Sequence, residues 1–177
     1  MDGMEPVIEM NEWIWTRFKA DLADVTPEEV DWRPLPQSNT INIIVRHLRI
    51  EGQWHTASLE HGERMPADAS PSLQAAIDAV PFDFERNMKE LDEQYTRFNS
   101  ALRTRTLADL AQRSAAAYAD WPKTAPPHLL GFHQAVHLAM HWAQIRTLRT
   151  LYLKTRGEAV PARYYPDNVT YPKSPTT

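Results

Sequence analysis

The stretch His133–Leu151, HQAVHLAMHWAQIRTLRTL, places histidines at positions 133, 137 and 141 and then continues as an apolar helical pattern. Four residues advance an α-helix by about 40° beyond one full turn and by about 6 Å along its axis. Two histidines at this spacing can therefore direct ring nitrogens to one point about 2.0–2.1 Å from each, as a metal ion requires. Histidines eight residues apart are separated by about 12 Å along the axis, so one adjacent pair is expected to act with a ligand from another segment.

The rest of the chain is also predicted to be mainly helical, because apolar residues recur at helical spacing and alternating β-branched runs are nearly absent. We predict an all-α fold, an antiparallel four-helix bundle formed by one domain over residues 1–177. The predicted connections between the long helices are long, and the last 20 residues, 158–177, are expected to form an extended arm. The long helices are predicted at about 6–24, 40–61, 82–102 and 128–156. Short helical turns are predicted to start at Thr26-Pro27 and to lie at about 73–79 and 107–111.

Composition limits the class of protein. The chain has 177 residues, of which 42% are apolar and 24% charged, which is typical of globular domains. The formal charge of −4 argues against nucleic acid as a partner, and no apolar run is long enough to cross a membrane. The acidic N-terminal segment lacks the features of a signal peptide, so we expect a cytoplasmic protein. Because there is no cysteine, disulfides, cysteine zinc sites and a protein thiol nucleophile are excluded, and a metal would need nitrogen and oxygen ligands.

His47 is the candidate for the ligand from a second helix, since it lies among apolar residues near the middle of the predicted helix 40–61. Bundles build metal sites in this way, from side chains on facing helices. The alternative is an ordinary buried histidine that is satisfied by a hydrogen bond. The predicted inward face of the helix 128–156 carries the three histidines together with Met140 and Leu151. Several imidazoles on one core face, however, would cost several kcal/mol unless a partner satisfies them. We expect His133 to be a pocket or core residue, and His55 and His61 to face away from the site.

Two segments resemble the DinB/YfiT-like superfamily. Residues 39–54, NTINIIVRHLRIEGQW, resemble its second helix, and residues 137–145, HLAMHWAQI, resemble its last helix. The resemblance implies a bundle with a three-histidine metal site formed by His47, His137 and His141, and a homodimer. It also implies kinship with S-transferases and isomerases that use bacillithiol or mycothiol. Trp142 and Ala143 depart from the family pattern beside the ligands.

The resemblance leaves several functions open. The leading hypothesis is a divalent-metal-dependent enzyme that acts on a small molecule, either an S-transferase with an external low-molecular-weight thiol or a hydrolase. The alternative is a non-catalytic, stress-associated bundle that binds metal or a partner. The expected ion is zinc, nickel or iron, with zinc preferred, because neutral imidazoles suit all three. Glu51, one helical turn after His47, is the candidate catalytic residue, as a general base or as an acceptor for an imidazole N–H; a salt bridge with Arg46 or Arg49 is the structural alternative.

Overall fold

A computed structural model of the chain describes residues 4–63, 71–117 and 129–164. The described residues form helices and connections without strands, so the predicted all-α class is confirmed. Among these residues no helix is both long and apolar enough to cross a bilayer. The helices are α1 Glu5–Leu22, α2 Pro27–Asp31, α3 Ile41–His61, α4 Pro71–Ala79, α5 Phe84–Leu102, α6 Leu107–Ala117 and α7 Leu129–Thr155, followed by a 3-10 turn, Ala162–Tyr164.

Local sequence signals set the ends of these helices. The Thr40 hydroxyl accepts a hydrogen bond from the backbone N–H of Ile43 at 3.1 Å and so caps the start of α3. Gly62 ends the same helix with φ 74°, a left-handed conformation that a residue with a side chain rarely adopts. Helix α7 ends in the same way before Gly157, at φ 70°. These two helices carry all the predicted ligands, so their caps set the ends of the segments that form the site.

The longest helices meet around a common apolar core. Helix α1 contacts α7 and α5, and α3 contacts α5 and α7. In the centre of the core Trp15 stacks on Tyr95, with ring centroids 4.6 Å apart, and also on Phe18. The Trp15 indole N–H donates to Asp92 Oδ1 at 2.6 Å at the edge of this stack. Aromatic packing therefore fixes α1 against α5.

Helix α6 is longer than the short turn predicted at 107–111. Its start is capped reciprocally: the Thr106 hydroxyl accepts from the Asp109 N–H at 3.2 Å, and the Asp109 carboxylate accepts from the Thr106 N–H at 3.0 Å. The helix packs on α7 at Gly131, where a β-carbon would lie 2.7 Å from Leu110 Cδ1. A capping pair and a glycine that allows close approach stabilise a helix whose own apolar pattern is weak.

Helix α7 buries more than one face, and this changes two sequence predictions. Leu138 and Ile145 are fully buried in the core, and Trp142 packs against it and donates its indole N–H to Asp21. Met140, which we expected to face inward, is 59% exposed. Leu151, on the same predicted inward face of α7, is 40% exposed.

The start of the predicted extended arm is not extended. Residues 162–164 form the 3-10 turn, which lies against α1 and α7. Arg163 pairs with Asp21 at 2.8 Å, and the Tyr164 hydroxyl accepts a hydrogen bond from Arg149 at 3.0 Å. Residues 165–177 lie outside the described part of the chain.

Arg149 connects this turn to α2 through a buried ion pair. Its Nε lies 2.6 Å from Glu29 Oε1, and both side chains are 3% exposed. The neighbouring residue Glu28 forms a pair with Arg156 at 3.3 Å, but there both side chains are largely in solvent. The two adjacent glutamates therefore make the same kind of contact in opposite environments.

Glu29→Ala is expected to lower the free energy of unfolding by about 3 kcal/mol, because it removes the buried partner of the Arg149 guanidinium and leaves that charge with only the largely exposed carboxylate of Asp24. Glu28→Ala is the matched control and should cost less than about 1 kcal/mol. Urea denaturation followed by circular dichroism measures both. Equal losses for the two variants would contradict the assignment of the buried pair.

Candidate metal centre

Helices α3 and α7 face each other with two rows of polar side chains. On α3 the row is His47, Glu51 and His55, each one turn apart; the row on α7 consists of His133, His137 and His141. The His47 ring lies beside those of His141 and His137, with centroids 4.8 and 5.0 Å apart. Eight residues further along α3, His55 lies 4.6 Å from His133. The ring contacts that lie nearer the C-terminus of α3 therefore lie nearer the N-terminus of α7.

The structure brings together the three histidines that the resemblance implies as ligands, His47, His137 and His141, which we call the outer triad. His137 Nε2 lies 3.0 Å from His47 Nε2 and 2.9 Å from His141 Nε2. One ligand atom from each of the three falls within 4.8 Å of the others, an arrangement that could hold a metal ion. All three are only partly exposed.

Gln144 fixes the ring orientation of one member of the outer triad. Its Oε1 lies 2.8 Å from His141 Nδ1, so the Nδ1–H donates to this oxygen and the Nε2 lone pair is left directed at His137. A hydrogen bond to the second ring nitrogen is the usual way in which a metal-ligating histidine is oriented.

Burial keeps the outer triad uncharged near neutral pH. Burial, with a smaller contribution from His141, lowers the pKa of His47 to about 4. Burial lowers the pKa of His137 still further, and its four neighbouring histidines add to the effect. Burial also lowers the pKa of His141, against the hydrogen bond with Gln144, which raises it. The three rings therefore present lone pairs rather than positive charge.

The donor set fits a divalent ion. Two nitrogens each about 2.0–2.1 Å from one ion lie roughly 2.9–3.4 Å apart at bond angles between 90° and 110°. The two Nε2 distances from His137 fall in this range. Neutral imidazoles that converge so closely repel one another through their lone pairs unless a cation or a proton lies between them. Three uncharged ring nitrogens from two helices therefore lie where they could bind one divalent ion.

Glu51, the candidate catalytic residue, faces the outer triad. Its Oε1 lies 3.2 Å from His47 Nε2 and its Oε2 lies 3.2 Å from His137 Nε2. The side chain is 9% exposed. The two arginines named as its alternative partners make other contacts, Arg46 with the Ile77 carbonyl and Arg49 with the Glu90 carboxylate.

His55 was predicted to face away from the site, and that prediction is wrong. The residue is fully buried, and its ring lies beside those of His133 and His137. Together with Glu51 these rings form a second set of candidate metal ligands, Glu51, His55 and His133, which we call the inner group. The spacing His47–Glu51–His55 was visible in the sequence and is the signal that would have found it. His61, by contrast, is exposed as predicted.

A cavity of about 390 Å³ opens onto the outer triad. His47 and His141 lie at its wall, together with Ile77 and Phe82 from the segment that follows α3. Arg46 also lines the cavity, with its guanidinium stacked 3.8 Å from the Phe82 ring and donating to the Ile77 carbonyl at 2.6 Å. This volume is within the range of small-molecule sites.

Comparison with known families agrees with this geometry. The model of the DinB superfamily matches residues 10–145, which include most of α1, all of α2 to α6 and the ligand-bearing part of α7. The chain belongs to the DinB superfamily. The resemblance seen in the two histidine segments is thereby confirmed. No curated protein and no solved structure matches the sequence significantly.

Membership in the DinB superfamily covers both helices of the site, because the matched region ends at Ile145, after all five of the clustered histidines. It does not distinguish the outer triad from the inner group. That distinction depends on the geometry of α3 and α7 described above.

Proposed function

We propose that the chain is a divalent-metal-dependent enzyme in which His47, His137 and His141 hold one ion and Glu51 handles a proton beside it. The observation that carries the proposal is the convergence of three uncharged imidazoles next to a carboxylate at the wall of a cavity. A cluster of histidines with only a structural role would need neither the adjacent Glu51 carboxylate nor a cavity that opens onto it.

A divalent ion at this place would lower the pKa of a water or thiol bound to it and polarise a substrate carbonyl. Glu51 is positioned to accept the proton, since its oxygens lie 3.2 Å from two of the nitrogens that surround the site. Gln144 orients His141, and the buried surroundings keep the histidines neutral. The proposed chemistry is therefore activation of a protic nucleophile by removal of its proton.

The nucleophile is either water, which makes the chain a hydrolase, or an external low-molecular-weight thiol, which makes it an S-transferase. The chain itself contains no cysteine, so a thiol must come from outside. The cavity accommodates a small molecule, and Arg46 supplies a positive charge on its wall. We propose zinc as the first candidate for the ion, with nickel and iron as alternatives, on the basis of the all-nitrogen donor set.

The proposal also includes the arrangement of the helices. We propose that α1, α3, α5 and α7 form an antiparallel four-helix bundle within a single domain. Support comes from the cyclic order of helix contacts and from the opposite directions in which the histidine contacts advance along α3 and α7. A cytoplasmic enzyme without nucleic-acid or membrane partners agrees with the net charge of −4.

The proposed assembly is a homodimer. An apolar strip on α7, Phe132, Val136 and Met140, is between 37% and 59% exposed, and its members lie one turn apart. Such a strip is typical of a contact surface.

Loss of one ligand of the outer triad is expected to remove its ion. With one equivalent of Zn²⁺ offered to tag-free protein, His47→Ala and His137→Ala should weaken Zn²⁺ binding by more than about 100-fold. Each variant keeps only two of the three imidazoles, and two protein ligands are too few to hold the ion tightly. His133→Ala should retain the ion, and His61→Ala, on the exposed end of α3, is the control. Competition with a chromophoric chelator measures the affinities. Wild-type affinity in His47→Ala refutes the ligand assignment.

Replacement of the proposed base should affect turnover rather than metal content. Glu51→Gln is expected to keep the ion of the outer triad and to lower kcat by about 10²–10⁴-fold. Glu60→Gln is the matched control, because it alters a partly exposed carboxylate on the same helix that pairs with Arg97, away from the outer triad. The assays are hydrolysis of ester and amide substrates and transfer of thiols, including bacillithiol and mycothiol, to electrophiles. Absence of turnover in both assays with fully loaded protein would favour a non-catalytic metal-binding bundle.

The dimer is tested by Val136→Glu, which places a charge in the centre of the exposed strip. We expect light scattering to give the mass of two chains for the wild type and of one chain for the variant. Glu93→Lys, on the exposed surface of α5, changes a charge elsewhere and should remain dimeric. A wild type that elutes as a single chain contradicts the proposal.

A further inference from the structure

The inner group, Glu51, His55 and His133, lies one helical turn beyond the outer triad in the same interface between α3 and α7. One ligand atom from each of its three members falls within 4.8 Å of the other two. Two of the three are buried, and His133 is partly exposed. The group combines two imidazoles and one carboxylate, which are common ligands of divalent transition metals.

His55 is the buried side chain that a purely structural role explains least well. It has no exposed surface, and neither of its ring nitrogens meets the geometry of an ordinary hydrogen bond, although the Gln134 side chain is close enough to act on one of them as a weak hydrogen-bond partner. A buried polar atom without a partner costs about 1–3 kcal/mol, so an apolar side chain would stabilise this position better. The side-chain oxygen of the buried Gln134, beside His55, is also without a partner.

Protonation does not resolve this cost. Burial holds the pKa of His55 well below its usual value, and the adjacent His133 lowers it further, whereas Gln134 acts in the opposite direction. The imidazole is therefore neutral and carries one lone pair. The ring that carries it lies beside those of His133 and His137, with centroids 4.6 and 6.3 Å apart.

Glu51 joins the inner group to the outer triad. Its two oxygens contact different histidines of the outer triad, His47 and His137, while the same carboxylate belongs to the inner group. A carboxylate has two oxygens and can bind one ion with each. In two-metal enzymes the ions lie about 3.5–4 Å apart, a separation that one carboxylate spans.

We propose that Glu51, His55 and His133 form a second divalent-metal site, so that the interface between α3 and α7 holds a pair of ions that share the Glu51 carboxylate. The proposed function requires only the ion of the outer triad, and this inference adds a second ion to it. Glu51 is the one anionic ligand among the six side chains. The second ion therefore binds more weakly than the first, because two dications close together repel each other.

The test uses tag-free, full-length protein stripped with a chelator and titrated with Co²⁺ in equilibrium dialysis. The wild type should bind two Co²⁺ per chain, and His133→Ala and His55→Leu should each bind one. Leucine fills the buried position without a cavity, and the partly exposed His133 tolerates truncation. His61→Ala, which alters an exposed histidine on α3, should still bind two.

A second measurement needs no variant. Two Co²⁺ ions that share a carboxylate couple magnetically, so the electron paramagnetic resonance signal per Co²⁺ should fall between the first and the second equivalent. A signal proportional to Co²⁺ through both equivalents overturns the shared centre.

The outcomes separate this inference from the proposed function. One Co²⁺ per chain in the wild type, unchanged in His133→Ala and lost in His47→Ala, overturns the second site and leaves the outer triad intact. One Co²⁺ that is lost in His133→Ala and retained in His47→Ala overturns both, since it places a single ion in the inner group. No bound Co²⁺ in the wild type also overturns both.

Discussion

The constraint on which the rest of this structure depends is the placement of five histidines and one glutamate between two helices, where they are buried or only partly exposed. Helices α3 and α7 could have met through leucines, as α1 and α5 meet through aromatic rings. Instead, they meet through groups that lose hydration on folding, and burial lowers the pKa of His47 and of His137. Such an interface is stable only where something satisfies the ring nitrogens. One cation can bind several ring nitrogens at once, and for this reason we interpret the two polar rows as a metal-binding site.

The surrounding packing supports this interface and keeps one end of it open. The aromatic stack around Trp15 joins α1 to α5, and the buried pair of Arg149 with Glu29 joins α7 to α2 and so opposes rotation of α7 about its axis. Helix α4 and Phe82, in the segment after it, line the cavity together with His47 and His141. The histidines of the outer triad are thus held by packed helices and still reached from a cavity of a size that suits a small molecule.

Much of this arrangement could be predicted from the sequence, because helix ends and i,i+4 spacing are local properties. The outer triad followed from such spacing together with the family resemblance. His55 was missed, although it has the same spacing from Glu51 as Glu51 has from His47. The rotation of α3 about its axis decides which side chains face α7, and contacts with α4, α5 and α6 set that rotation. Met140 was misplaced for the same reason, since α7 packs against three helices rather than one.

The central claim is that imidazoles from two helices surround one ion, and anomalous diffraction from crystals of the Zn²⁺-loaded protein tests it most directly. Data collected on both sides of the zinc edge locate the ion independently of the protein coordinates. The account predicts a peak about 2.0–2.1 Å from Nε2 of His47, His137 and His141. A peak bound by histidines of α7 alone, or one at the protein surface with the outer triad empty, would contradict it.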